Sequence, residues 1–250
     1  MIEILLEDPW FLVINKPPHL LSQALPTIPS VQSQLIEQLA DRMPTTPFIG
    51  IPHRLDRMTS GVMVIARNQR ALKRLCEQFA SRKVSKQYLA WVHGIVPESA
   101  RWQDSMRKVP DQPRAEMVAA ESEDGRIAAL SFERLQIRDA IASERLDAGG
   151  QAEAQGSRSL VKVQLETGRM HQIRLQFGAR GHAILGDALY GSDCPWGERH
   201  ADWREPPIAL HAFRLQFFHP KTGEATSVCA KPPREFPWEI DDAAWSAAVA

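Results

Sequence analysis

Apolar residues in this chain arrive in short bursts, and that spacing limits the fold more than any other feature. Residues 2–6 and 10–14 form two such runs across Glu7-Asp8-Pro9, the pattern of two strands joined by a turn. Residues 62–66 are apolar without a break, as in a strand covered on both faces. Further strands are predicted over 87–92, 130–137, 160–165, 210–218 and 226–230. Helical spacing interrupts them irregularly. Ser30 can cap a helix bearing Val31, Leu35, Leu39 and Met43, ended by Pro44 and Pro47. Asn68 can cap a second, with Leu72, Leu75, Cys76 and Phe79 inward and Arg70, Lys73 and Arg74 outward. A short third helix is expected between Met170 and Phe177. This order predicts an α+β fold, a mixed sheet with packed helices, rather than a repeating βαβ wheel.

The 250 residues, 44% of them apolar, suffice for a full core, which excludes wholesale disorder and collagen. No run approaches the ~18 apolar residues of a membrane span, and the start lacks the layout of a signal peptide. Cys76, Cys194 and Cys229 are far apart and lack CxxC spacing, so neither a disulfide framework nor a zinc ribbon is expected. A soluble cytoplasmic protein is the plain reading. Nothing in composition divides the chain, so a single domain over 1–250 is expected. Residues 139–159 and 192–207 are longer than ordinary connections and read as loop insertions.

Lysine and arginine balance aspartate and glutamate at 30 each, but the distribution is uneven. Between Ile51 and Ala90 nine positive residues face only Asp56 and Glu77. Such a concentration is the footprint of a polyanion binder, or simply a solvated face.

Two segments carry most of the reactive groups. In PHRLDRMTSG, residues 52–61, a loop precedes the buried strand, and Asp56 lies close in sequence to Arg54 and Arg57. Adjacent cations favour the ionised carboxylate, a nucleophile or base; a surface ion-pair loop is the commoner meaning of an aspartate between arginines. In TGRMHQIR, residues 167–174, a Thr-Gly break leads into a helix carrying Arg169, His171 and Arg174. That geometry suits phosphate, or Arg169 holding a buried carboxylate, or an ordinary solvated helix face. Tyr88 follows the basic helix and is either core or site, while Tyr190 in GDALYG lines a pocket or closes a loop. Walker A, GxSxG, dinucleotide and HExxH signatures are absent, and the eight histidines show no metal-ligand spacing, so neither cofactor nor metal is expected.

Together HRLDRMTSG at 53–61, KQYLAWVHG at 86–94, TGRMHQIR at 167–174, GDALYG at 186–191 and LHAFRL at 210–215 resemble the RluA-type pseudouridine synthases in order and approximate spacing. The opening FLVINKPP resembles the family's first strand and NKP turn, and the likeness runs from about residue 2 to 238. It implies a largely antiparallel mixed sheet with flanking helices and a central active-site cleft. It also implies an isomerase that turns specific uridines of rRNA or tRNA into pseudouridine, a cytoplasmic monomer without a membrane partner. The family's catalytic aspartate falls on Asp56, its active-site tyrosine on Tyr88 and the aspartate's basic partner on Arg169. Arg54 is implied to fill the space left by an extruded nucleotide, with Arg57, Lys86, His171 and Arg174 as further RNA contacts. The likeness begins at the catalytic domain, so no N-terminal accessory RNA-binding domain is expected. Where relatives often read Gly-Leu-Leu-Val-His, this chain has His19-Leu20-Leu21-Ser22-Gln23. A non-catalytic RNA binder would share the basic segment and tyrosine but would not need Asp56. A small-molecule hydrolase would need a second acid–base partner that the sequence does not supply.

Overall fold

A computed structural model describes residues 1–23, 28–42, 45–138, 142–146, 152–154, 156–194, 196, 207–234 and 238–250, with 142–146 and 152–154 described in the backbone alone. The strands are β1 (Glu3–Glu7), β2 (Phe11–Lys16), β3 (Ser60–Ala66), β4 (Ser85–His93), β5 (Ser99–Lys108), β6 (Ala115–Val118), β7 (Arg126–Arg138), β8 (Ala142–Leu146), β9 (Ala152–Ala154), β10 (Arg158–Leu165), β11 (Leu210–Phe218) and β12 (Ala225–Cys229). The helices are α1 (Val31–Leu39), α2 (Gln69–Ala80), α3 (Gln172–Gly178) and α4 (Asp242–Val249). Among the described residues no helix is long and apolar enough to cross a membrane.

The chain divides into two compact units, Met1–Tyr88 with Leu210–Glu235, and Leu89–Ala209 with Phe236–Ala250. In the first, β2 pairs antiparallel with β1 and β3, β11 runs parallel to β3, and β12 returns antiparallel on β11. All seven residues of β3 are buried, as its unbroken apolar run predicts. Phe11, Val13, Val64, Leu75, Leu215 and Phe217 share one core, so α2 is held against the sheet by Leu75. Asn68 caps α2 by accepting from Ala71 N–H at 2.8 Å, and Ser30 closes a reciprocal capping box on α1. Cys76, expected on the inward stripe, is instead exposed. The buried line of α2 runs through Ala71 and Leu75, and Cys76 falls beyond its edge. Met43, expected on the stripe of α1, and Pro44, expected with Pro47 to end it, lie outside the described residues.

In the second unit β10, β7, β5 and β6 form a wholly antiparallel succession. Trp102, Phe132 and Phe177 meet edge to face or tilted, with centroids 4.6–5.2 Å apart, packing α3 onto these strands. Beside them Arg180 lies over Trp102 at 4.3 Å and pairs with Asp104 at 2.9 Å. The β3–β11 pair of the first unit is parallel and the other pairings just described are antiparallel, so the mixed, largely antiparallel α+β expectation holds. Of the expected insertions, β8 and β9 form a small antiparallel ladder within 139–159. Residues 139–141, 147–151, 155, 195 and 197–206 lie outside the described residues.

Candidate active site

Each end of the 53–59 loop and its middle is tied to a different element. At its start Val64 N–H donates to His53 Nε2 at 3.1 Å, and the imidazole stacks on Phe79 of α2 at 4.4 Å. Burial, with the charge of Lys86 adding to it, pushes His53 down to about 3, matching an acceptor nitrogen that must stay unprotonated. In the middle, Ser22 Oγ donates to Leu55 O at 2.8 Å and accepts from Leu55 N–H at 3.1 Å. At the far end Ser60 Oγ and His211 Nδ1 lie 2.9 Å apart, and His211 Nε2 is 3.1 Å from Ala230 O. A carbonyl can only accept, so Nε2 carries the proton and Nδ1 accepts from Ser60. Burial pushes His211 down to about 4. Gly61 follows at φ +120°, where a Cβ would stand 2.2 Å from Ala212 O, so only glycine lets β3 and β11 approach.

The strongest tie comes from a residue whose role the sequence pattern did not reveal. Lys16 ends β2 with its side chain fully buried, and Nζ donates to Pro17 O and Leu20 O at 2.8 Å and to Arg57 O at 3.1 Å. Three carbonyls thus take all three protons of an ammonium, stapling the turn after β2 to the loop. Burial lowers Lys16 to about 7, the Asp56 carboxylate opposing the shift and Arg57 reinforcing it.

So held, the loop leaves Asp56 half-buried between exposed Arg54 and Arg57, and Thr59 N–H donates to Asp56 O at 3.1 Å to close the turn. Tyr88 lies in β4, 8% exposed. Burial first, and the charge of Asp56 second, raise its phenol above the ordinary tyrosine value. Tyr88 is therefore a neutral hydroxyl that feels the charge of Asp56 and can relay a proton but is a poor base in its own right. Lys86, half-buried in the same strand, is lowered by burial. Of the nine basic residues in this region, Arg67 is taken up by Glu7 at 3.1 Å, while Arg54, Arg57, Arg70, Lys73, Arg74, Arg82 and Lys83 are exposed.

The TGRMHQIR segment belongs to the second unit. Thr167 Oγ1 and Arg169 N–H both donate to Gln172 Oε1, at 2.7 and 3.1 Å, fixing the approach to α3. Arg169 is half-buried, with Nε donating to Ile127 O at 3.0 Å. His171 adopts a left-handed backbone at φ 52°, and its Nδ1 lies 2.9 Å from Tyr190 Oη, which also accepts from Ala115 N–H. Arg174 is buried in a bidentate pair with Asp187 at 2.7 and 2.8 Å, under the Tyr190 ring. These contacts tie TGRMHQIR to GDALYG, so Tyr190 closes a loop, and Arg174 frames α3 instead of pointing outward as an RNA contact.

His93, Asp193 and Cys194 bring three ligand atoms within 4.8 Å of one another, a grouping that sequence spacing hid because His93 is a hundred residues away. His93 Nε2 is already 2.9 Å from Ser192 Oγ. No other such group occurs among the described residues.

Comparison with known proteins supplies the family. The family described as RNA pseudouridylate synthase matches residues 10–179, which include the Asp56 loop, Tyr88 and the TGRMHQIR segment. The chain belongs to that family. It is 32% identical over 243 residues to the ribosomal large subunit pseudouridine synthase D of Xanthomonas campestris, covering 94% of this chain and 67% of that protein. The ribosomal large subunit pseudouridine synthase C of Pasteurella multocida is 34% identical, with 91% and 64% covered. The dual-specificity RNA pseudouridine synthase RluA of Vibrio vulnificus is 33% identical, with 88% and 79% covered. The chain therefore spans about two thirds of the length of the C and D synthases it matches. Among solved structures, human RNA pseudouridylate synthase domain containing 1 superposes with a TM-score of 0.68 at 25% identity, covering 93% of this chain and 84% of that one.

Proposed function

We propose that this chain isomerises uridine in ribosomal or transfer RNA to pseudouridine, in the cytoplasm and as a monomer, with Asp56 as the essential carboxylate. The observation that carries the reading is the Asp56 loop: a half-buried carboxylate beside a neutral tyrosine, on a turn immobilised by Lys16, Ser22, His53 and His211. Such rigidity serves a group that must meet one sugar–base junction, because misplacement by about 1 Å can cost about 100-fold in rate.

The isomerisation breaks the bond from ribose C1′ to N1, forms the bond from C1′ to C5, releases the C5 proton and protonates N1. Nothing else enters or leaves, so no cofactor is required by the balance. The target base must leave its stack, at a cost of a few kcal/mol. A tyrosine ring stacked on it returns about 1–3 kcal/mol. In this reading Tyr88 supplies that ring and passes the C5 proton on through its neutral hydroxyl. Arg169 carries the position of the family's basic partner to the aspartate, and Arg54, Arg57 and Lys86 meet the RNA. His171 and Arg174 serve by shaping the segment that presents Arg169.

The test is release of tritium from RNA labelled at uracil C5, with bulk tRNA and large-subunit rRNA transcripts as substrates. Wild type should release it, and Asp56→Asn should not, while binding RNA within a few-fold of wild type. Release by Asp56→Asn would remove the carboxylate from the chemistry. Binding without release by either protein would favour a non-catalytic RNA binder on the same fold.

A further inference from the structure

Away from the Asp56 loop, the first unit holds a groove between α2 and the turn joining β11 to β12, lined by Arg74, Ser81, Lys83, Lys221, Thr222 and Gly223. Its walls are fixed to each other. Gln78 Nε2 donates to Phe218 O and its Oε1 accepts from Phe218 N–H, both at 2.8 Å, while Arg74 Nη1 donates to Pro220 O at 2.6 Å. The turn is rigid as well: His219 Nδ1 accepts from Lys221 N–H at 2.9 Å and Thr222 N–H at 3.2 Å, and Gly223 sits at φ 80°. The groove is thus preformed, with its cations held apart by structure.

Arg74 spends one donor on Pro220 O, but the groove's lysines meet no acid among the described residues. Among the described residues Lys83 and Lys221 form no ion pair, and neither do Arg70, Lys73 and Arg82 on and just beyond α2. Glu77 is the one acid in the lining. A lining of cations, two hydroxyl side chains and a glycine turn is suited to phosphate oxygens strung along a chain, and α2 is about 18 Å long at ~1.5 Å per residue, room for several. His53, stacked on Phe79, connects this same helix to the loop that carries Asp56.

We propose that this groove binds the phosphate backbone of the substrate RNA at nucleotides outside the one that is isomerised. The proposal rests on the reading of the chain as an RNA-modifying enzyme and adds to it a docking track, which selects RNAs long enough to reach both places. None of the groove residues belongs to the catalytic loop, so their loss should be felt in binding and not in turnover at saturation.

The experiment compares the full chain with the Lys83→Glu/Lys221→Glu variant, measuring Kd for bulk tRNA and large-subunit rRNA transcripts from 50 to 300 mM KCl. The variant should bind about tenfold more weakly at low salt, and the slope of log K against log salt should fall by about 1.4–1.8, the loss of two phosphate contacts. Its kcat at saturating RNA should match wild type, and 4-thiouridine RNA should cross-link to peptides containing residues 81–83 and 219–223 in wild type only. An unchanged Kd and slope would overturn the proposal. An equal loss in Lys108→Glu/Arg114→Glu, two exposed positions elsewhere, would reduce the effect to overall charge and overturn it too. Absence of tritium release by wild type, together with the predicted binding losses, would sink the isomerase reading and leave the groove standing.

Discussion

Ser22 offers the sharpest test of the idea that the Asp56 loop works because it is pinned. Its hydroxyl is the partner of both the N–H and the C=O of Leu55 among the described residues, and the two residues are 4% and 8% exposed. The single hydroxyl proton goes to Leu55 O at 2.8 Å in preference to Met63 Sδ at 3.7 Å. Ser22→Ala therefore strands one donor and one acceptor in a dry place, each worth about 1–3 kcal/mol. With water reaching one of them on relaxation, we expect a net loss of about 3 kcal/mol. In a chain of this length that is a fall in Tm of roughly 6–12 °C. The more telling consequence is local, because Leu55 is bonded to Asp56. At a temperature where the variant is fully folded, kcat for tritium release should drop about 100-fold, with the Kd for RNA unchanged. Met63→Leu is the control: it removes the sulfur contact and keeps the volume, and should cost under about 1.5 kcal/mol. Denaturant titration and saturating-RNA kinetics on the same preparations give both numbers. If Ser22→Ala melts and turns over like wild type, the loop is not held by this hydroxyl and the argument from immobilisation fails.

Tyr88→Phe should cut kcat far more than it weakens RNA binding; equal rates would leave the ring as a packing and stacking surface without a part in proton transfer. Since burial and Asp56 raise the phenol, no limb of the wild-type pH–rate profile below pH 10 should disappear in that variant. Arg174→Ala should cost about 3–5 kcal/mol in urea unfolding by leaving Asp187 charged and buried, yet leave the salt slope of RNA binding intact; a reduced slope would return Arg174 to the RNA-contacting set. His53 and His211 lie at about 3 and about 4 in the fold against about 6.5 unfolded. Below pH 6.5 the unfolded chain takes up protons that the folded one refuses, so stability falls with falling pH until the folded values are reached. Each histidine contributes about 1.4 kcal/mol per pH unit in that window. Unfolding between pH 6 and 5 should show that slope, and His211→Asn should remove its share; no change would mean the imidazole is charged inside the fold.

Elements marked by local chemistry were legible from sequence. Asn68 and Ser30 act as caps where the pattern put them, and the unbroken run of β3 is buried throughout. β5 is not legible in sequence because SARWQDSMRK has few apolar residues, and it is a strand by virtue of pairing from Ser99 to Met106 with β7, not by its own pattern. α4, absent from the sequence expectations, does carry a local signal, Asp241 accepting from Ala244 N–H ahead of an alanine-rich run. In the candidate site, the motif positions were visible but their surroundings were not. Arg169 and Arg174 look alike in TGRMHQIR, and what separates them is Asp187, thirteen residues away, which claims Arg174 in a buried bidentate pair. A helix-face argument could not anticipate this, because residues 172–177 are buried on every side and α3 has no solvated face.

Lys16 shows why the least legible residue is also the one most informative about design. Nothing in FLVINKPP marks this lysine as buried, since lysine is almost never found inside unless its charge is met. Its fall from 10.5 to about 7 shows that burial works against the ammonium. It is there because residues 17–20 and 57 are irregular backbone, without strand partners, whose carbonyls converge. Buried carbonyls need donors, and one ammonium satisfies three at once where no ladder can reach. The same irregularity is what frees Asp56 from a strand and leaves it half-buried. A loop shaped for chemistry leaves unpaired backbone behind it, and the buried lysine is the fold's answer to that cost.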